Sequence, residues 1–460
     1  MRNTKLHIVF FALLSFFDTH SHAQTTGGQN ITLSPYSNFG IGEWLDYDFV
    51  QNGANLHTRT GAYSYSLSNP ATLGNLYYTT FNLGMSVKSS QISTSNASQT
   101  FQGGGLSYMA LAFKTWDYYV RKVHYDSLLK IKTIASTRFA VNSSFSLHPI
   151  SSIGYQYTIE NKTPFLNRTT HNGFGGLNAI EMSHALKLGS HASIGYSASY
   201  LFGDINDQSV FSIPDSTSLH ILEDLKAVSM HGMEQKLGVL FYVKKDSTYH
   251  TFGGSTQFYS NLNGQESRLT RTMELAGSNV YIVDTVLNLN TPKTAFSLPK
   301  SFGMGYTFQY RQSWSLALDY RQQDWKNNSA IFFDAGRSYT TRKDYGFTFT
   351  IHPNDIKLPK QKKIKSPIRF GAVLSETQFE FAGTPAVPAY QLAQQRAFIG
   401  FGLPIKTRYY DNTILTSLIQ IQLDYTQRGT TKFGLAKEQF FMVKLGFQLG
   451  DVWFQRRKFN

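Results

Sequence analysis

The sequence predicts an all-β chain: a transmembrane antiparallel β-barrel of about 14 strands preceded by an N-terminal plug (hatch) segment. Three observations predict it. Apolar and polar residues alternate along most of the 460 residues. The chain starts as exported proteins start. After that start no apolar run reaches the roughly 18 residues of a spanning helix, so any crossing of a bilayer falls to strands closed into a barrel. Composition agrees. Charged residues make up 16% and aromatic residues 15% of the chain, against roughly 25% charged in an ordinary soluble domain. The absence of cysteine excludes a disulfide scaffold, thiolate zinc sites, iron–sulfur clusters and lipid attachment at an N-terminal Cys.

Residues 1–23 read as a secretory signal peptide. Arg2 and Lys5 give the positive start, Leu6 to Phe17 the apolar stretch, and Ser21-His22-Ala23 the small-x-small cleavage site. Residues 24–75 are expected to form the plug. From Ile31 to Asn75 the alternation is missing, and Gly, Asn and aromatic residues dominate: Ser34-Pro35-Tyr36-Ser37-Asn38-Phe39-Gly40-Ile41-Gly42, then Asn69-Pro70-Ala71. Gly40 and Gly42 permit tight turns and Asn69-Pro70 starts one. Phe39, Gly40, Gly42, Asn69, Pro70 and Ala71 are the residues expected to shape the occluding hatch.

Residues 76–454 are expected to form the barrel. Trp314, Leu316, Leu318 and Tyr320 oppose Ser315, Ala317, Asp319 and Arg321; Ile419, Ile421, Leu423 and Tyr425 oppose Gln420, Gln422, Asp424 and Thr426; Phe441, Val443, Leu445 and Phe447 oppose Met442, Lys444, Gly446 and Gln448. Period two places each set on its own face of a strand. About 15 segments read this way, and single-chain bacterial barrels use even numbers, so 14 is the expectation. Alternation also fits a secreted soluble sandwich. A polar face carrying Asp319, Arg321, Asp424, Lys444 and Gln448 favours a barrel lumen, and Tyr310, Trp314, Tyr320, Trp325, Tyr425 and Trp453 are placed as interfacial girdles. Glycines inside strands, such as Gly303, Gly305, Gly371, Gly400 and Gly402, are read first as sites of sharp curvature and second as places where a plug approaches the wall. Ser89–Thr100, Trp116–Thr137, Asp204–Ser229, Asn261–Pro299 and Glu376–Gln395 are read as loops, with a short helix from Ser218 to Val228. Residues 455–460 form a basic tail.

On these residues the chain resembles the FadL-like family of outer-membrane transporters for hydrophobic compounds, and in particular its Bacteroidetes-type members. Ser34 to Gly42 looks like the start of that family's hatch, and Asn69-Pro70-Ala71 before Thr80-Phe81 like its entry to the first strand. Gly175-Gly176-Leu177 with Tyr200 to Gly203, Gly303 to Tyr306 with Trp314 to Tyr320 and Trp325, and Arg428-Gly429 with Glu438, Gly446 and Trp453-Phe454 resemble later hairpins and the ending. Tyr63 to Ser68 departs from the small and acidic residues usual there, and the chain ends Phe459-Asn460 rather than on an aromatic. The resemblance implies an outer-membrane location and passive uptake of fatty-acid-like or hydrocarbon-like molecules, by a hatch and lateral release. The alternatives kept beside it are a non-enzymatic partner subunit of an outer-membrane machine, PorV-like in type IX secretion, and a generic porin.

No catalytic motif stands out: there is no Gly-x-Ser-x-Gly, no His-Glu-x-x-His and no phosphate-binding loop. No cofactor and no metal are expected; His184 and His191 bracket a turn. The net charge of +14 includes Lys357 to Lys365, which reads as a solvated loop able to meet anionic headgroups. Expected partners are outer-membrane lipid and lipopolysaccharide, a hydrophobic small molecule and a protein docked on the large loops; nucleic acid is not expected.

Overall fold

A computed structural model describes residues 34–451 except residues 39, 46–47, 127–130, 162–166, 214–218, 260, 277–278, 312, 327–336, 352–365, 382–388, 409–413 and 433–434. The described residues form a closed antiparallel barrel of fourteen strands. They are β1 (Thr79–Ser93), β2 (Ser98–Asp126), β3 (Ile131–Pro149 and Ser151–Asn161), β4 (Asn167–Leu188), β5 (Ala192–Ser212), β6 (Leu219–Lys245) and β7 (Thr248–Tyr259 and Asn261–Ala276). There follow β8 (Asn279–Ser297 and Ser301–Tyr310), β9 (Trp314–Asp324), β10 (Arg337–Tyr339 and Thr341–Ile351), β11 (Ile368–Phe381), β12 (Tyr390–Arg408), β13 (Ile414–Gly429) and β14 (Lys437–Asp451). The barrel closes where β14 pairs with β1, from Asp451↔Thr79 to Lys437↔Ser93.

The alternation is inside-out relative to a soluble sheet. Along β13, Gln420, Gln422, Asp424 and Thr426 are each 3% exposed or less, while Leu423 and Tyr425 are 46% and 36% exposed. The same inversion leaves Met85, Phe145, Ile180, Leu237, Phe252, Leu318, Phe347, Leu374, Ile399 and Phe441 on the outer surface. Burying that band in acyl chains rather than water stabilises it by about 25 cal/mol per Å², and closure leaves no strand edge in the apolar layer. No helix among the described residues is long and apolar enough to cross a membrane.

The structure corrects several readings. Ser89–Thr100 and Trp116–Thr137 are largely strand: β1 runs to Ser93, β2 from Ser98 to Asp126, and β3 begins at Ile131. Asp204–Ser229 and Asn261–Pro299 are the long arms of β5 to β8, and from Leu219 the expected helix is strand. Glu376–Gln395 is strand to Phe381 and again from Tyr390. Only the bases of these segments, at Ile205, Val228, Leu262, Phe379 and Leu392, join a buried cluster; the rest extends past the rim, has no core to face and carries no clean alternation. Trp325 is no girdle residue: it is fully buried and packs edge-on against Trp44, ring centroids 5.5 Å apart. The expected signal peptide, the Lys357–Lys365 run, Trp453 and the basic tail lie outside the described residues.

Residues 34–78 lie within the ring of strands. They hydrogen-bond to β2 through Tyr108, to β3 through Gly154, to β8 through Thr307, to β9 through Asp319 and to β10 through Thr348. Further bonds reach β11 through Arg369, β13 through Arg428 and β14 through Glu438. Two apolar clusters sit with this segment. One, towards the rim away from Asp451, joins Tyr36, Ile41 and Trp44 to Ile150, Trp325 and Tyr339. The other joins Phe49, Tyr65, Leu67, Leu73 and Leu76 to Tyr108 and Ala185.

Candidate functional site

The leading segment is tied to the wall in three places. At its start, Ser34 caps the 3-10 turn Pro35–Ser37, accepting from the Tyr36 N–H at 3.1 Å, and its hydroxyl donates to Glu438 at 2.8 Å. Glu438 also accepts from Lys88 at 3.0 Å and from Arg428 at 2.7 Å. Arg428 then grips Glu43 with two N–H groups at 2.8 and 3.1 Å. The Lys88, Arg428 and Glu438 side chains are at most 3% exposed. Buried charges persist in such a place because each is paired and hydrogen-bonded. Burial alone would raise the Glu43 carboxyl, but Arg428, with Lys88 behind it, outweighs burial and holds it below the ordinary carboxylate range.

In the middle, Asp48 gathers the segment onto itself. Its Oδ1 accepts from the Phe49 N–H at 2.7 Å and the Asn52 side chain at 2.8 Å, and Ser66 donates to Oδ2. Burial pushes its carboxyl up to about 6 against these donors. His57 binds Asp319 of β9 through both its backbone N–H, at 2.8 Å, and its ring Nδ1, at 2.9 Å.

At its end, Asn69 caps the 3-10 turn Pro70–Asn75. Its amide donates to His57 O at 2.8 Å and to Val239 O of β6 at 3.1 Å. Ser193 of β5 donates to Ala71 O at 2.7 Å. Asn142 of β3 donates to Leu73 O at 2.6 Å.

Of the residues expected to shape the hatch, the structure brings Asn69, Pro70 and Ala71 together against β5 and β6. Gly40 and Gly42 sit at the other end, with φ of +53° and +85°, a region that strongly favours glycine. A Cβ at Gly42 would also fall 2.4 Å from Ser152 O. Phe39 lies outside the described residues. Gly303 acts as a socket for this segment, so its reading as a curvature site is corrected: a Cβ there would meet the His57 ring at 2.0 Å. His184 and His191 each contact a serine, and no group of metal-binding side chains occurs among the described residues.

The feature that sequence reading missed is a break in the wall. The ladder between β2 and β3 runs from Asp126↔Ile131 to Met109↔Leu147 and stops. Past Ile150 the strand turns inward, and Ser151 to Tyr155 are buried. Its edge pairs instead with the leading segment, Glu43↔Ser152 and Trp44↔Ser151, reinforced by Leu45 N to Ile150 O at 2.8 Å and Ser34 N to Gly154 O at 2.7 Å. Gly175 and Gly176 of β4, at φ +121° and +139°, let the neighbouring strand follow the bend. A cavity of about 450 Å³ opens there, lined by Leu106, Leu147, Pro149, Phe174 and Phe202 beside Asn178 and Asp204. Three cavities within the bore hold about 60 to 90 Å³ each, room for a few waters. Pro149, which cannot donate to a ladder, and the Gly175-Gly176 pair were the available signals.

A family model described as BamG matches residues 5–119 and 128–460. No curated protein sequence matches the chain. Among solved structures, a TodX deltaS2S3 mutant, a monoaromatic hydrocarbon channel, is 14% identical, with 88% of this chain and 100% of that one covered and a TM-score of 0.51. A Pseudomonas aeruginosa FadL homologue is 10% identical over 88% and 99% of the two chains, TM-score 0.49. The Ralstonia pickettii toluene transporter TbuX is 12% identical over 90% and 99%, TM-score 0.48. At such identities the likeness is one of fold.

Proposed function

The chain belongs to the BamG family, and from its interior we propose that it is a non-enzymatic outer-membrane barrel for passive uptake of hydrophobic small molecules, fatty-acid-like or hydrocarbon-like, released sideways into the bilayer. Residues 24–75 serve as the hatch, following the exported leader of residues 1–23, and the FadL-like resemblance supplies the mode of action. The observation that carries this reading is β3's exchange of β2 for the leading segment, which leaves a lined cavity in the wall. The bore itself is closed to an apolar solute by ion pairs such as Arg428–Glu43 and Lys236–Glu181. The apolar cluster at the rim contains Ile150, Ile153, Leu177 and Ile205 of the break together with Ile41 and Trp44. A solute held in the wall cavity by Leu106, Leu147, Phe174 and Phe202 escapes water and reaches acyl chains without crossing the polar bore.

The absence of native cysteine makes the test clean. Asn206→Cys places one thiol at the cavity lining. Attaching a bulky disulfide-linked reagent there is expected to abolish uptake of a radiolabelled fatty acid or aromatic hydrocarbon, with recovery on reduction. Uptake indifferent to the reagent refutes lateral release at this break.

A further inference from the structure

In the part of the bore towards Asp451, Arg369 of β11 points inward and is 1% exposed. It donates to Gln420 Oε1 of β13 at 2.8 Å and to Val50 O of the leading segment at 3.4 Å, both neutral acceptors. Its Nε is buried without a partner. Among the described residues no carboxylate pairs with it, and the charge that acts on it is a like one, Arg59 of the leading segment. Arg59 is half-buried, and its Nε too is buried without a partner. Gln420 turns its oxygen to Arg369, which leaves its buried amide nitrogen as a third donor lacking an acceptor. The carboxylate acting on Arg59 is Asp48, whose oxygens are taken by Phe49, Asn52 and Ser66. Two glycines of β12 let the wall side chains lie flat: a Cβ at Gly400 would come 3.1 Å from the Arg369 guanidinium, and one at Gly402 3.4 Å from the Gln420 nitrogen.

A buried lysine or carboxyl group escapes such a position by losing or gaining a proton. A guanidinium keeps its proton. Buried charge is tolerated where it is paired, and elsewhere in this barrel it is: Lys88 and Arg428 meet Glu438, and Arg428 also meets Glu43. Arg59, Arg369 and an ionised Asp48 leave one positive charge unmatched. Gln422 Oε1, across Gly400, is an acceptor also left over, so a water bridging it to Arg369 completes hydrogen bonds but supplies no charge. We propose that Arg369 and Arg59, with the Gln420 amide, hold a monovalent anion of halide size that ties the leading segment to the wall. One negative charge restores neutrality. A carboxylate that carries a chain needs room that bore cavities of about 60 to 90 Å³ do not offer. The site lies apart from the wall break and does not rest on uptake.

The test uses the full chain, purified in detergent. Chloride is exchanged for gluconate at equal ionic strength and pH, and proteolysis within residues 34–78 is followed in time. Gluconate is monovalent but too large for the site. The segment is expected to be cut about tenfold faster in gluconate, and bromide added back at millimolar concentration to restore resistance along a saturating curve. Crystals grown in bromide are expected to show an anomalous peak within hydrogen-bond reach of Arg369 Nε. Arg369→Met and Arg59→Gln, each checked for folding by heat-shifted gel mobility, are expected to lose the difference between the two salts, since either change removes the unmatched charge. Equal cutting of the unaltered chain in both salts overturns the proposal. So does a difference that persists in every folded variant, the lack of a bromide peak at Arg369, or restoration only at molar bromide, which marks an adventitious ion only.

Discussion

Gly238 and Gly195 show how a missing methyl group holds a segment in place. A Cβ at Gly238 would fall 2.0 Å from the Asn69 side-chain oxygen, and one at Gly195 2.3 Å from the Ala71 backbone nitrogen. Gly254, a few residues along the same wall, has nothing closer than 3.7 Å. Gly238→Ala and Gly195→Ala are therefore expected to destabilise docking of the leading segment by about 1–3 kcal/mol, and Gly254→Ala to be near neutral, as read by protease resistance of residues 34–78 in purified protein. Equal sensitivity in all three variants would mean that these glycines serve curvature instead. Asp48 gives a prediction in pH. Its folded value, raised by burial from the ordinary 3.8 to about 6, means that the docked state holds the proton more tightly than the free chain. Stability from this group is thus full below about pH 4 and falls by about 3 kcal/mol as pH rises through 6. Asp48→Asn should flatten that slope in urea titrations of segment docking; an unchanged slope assigns it to another group.

At the scale of elements, β3 has two partners along one edge: β2 as far as Leu147, the leading segment afterwards. The grip of Arg428 on Glu43 secures that second pairing. Arg428→Ala leaves the half-buried Glu43 and the buried Glu438 without their main counter-ion, a loss of about 3–5 kcal/mol. The cost is expected to appear locally: by hydrogen exchange, the amides of Leu45 and Gly154 should lose protection, while those in the β13–β14 ladder keep theirs. Uniform loss across the barrel would show that the pair supports the wall rather than the docking. Legibility in the sequence follows the same division. Strands such as β9, β13 and β14 were readable because one face meets polar interior and the other apolar surroundings. The projecting arms, solvated on both faces, read as loops. Gly40, Gly42 and Asn69 stood out through turn chemistry, whereas the break at Ile150 depends on a non-local choice of pairing partner, which Pro149 and the Gly175-Gly176 pair mark as irregular without naming the partner.

For the whole molecule, the question is what fills the cylinder. Residues 34–78 reach strands all around the ring, and the bore cavities of about 60 to 90 Å³ each have room for only a few waters. The intact chain in a planar bilayer should therefore pass almost no ions. Removing residues 31–71 takes away His57, Asp48 and Glu43 together and leaves a polar wall of Asp319, Arg321, Lys88 and Arg428 facing an empty bore. Such a lining welcomes water and salt, so the deletion should open a steady, voltage-tolerant conductance. The fourteen-strand wall is expected to survive, because its ladders close without the leading segment except at β3. Heat-shifted mobility of the variant establishes that it has folded before conductance is judged. A folded deletion variant as tight as the intact chain would show that the lumen is sealed by the wall's own side chains, and the hatch role of the leading segment would have to be abandoned.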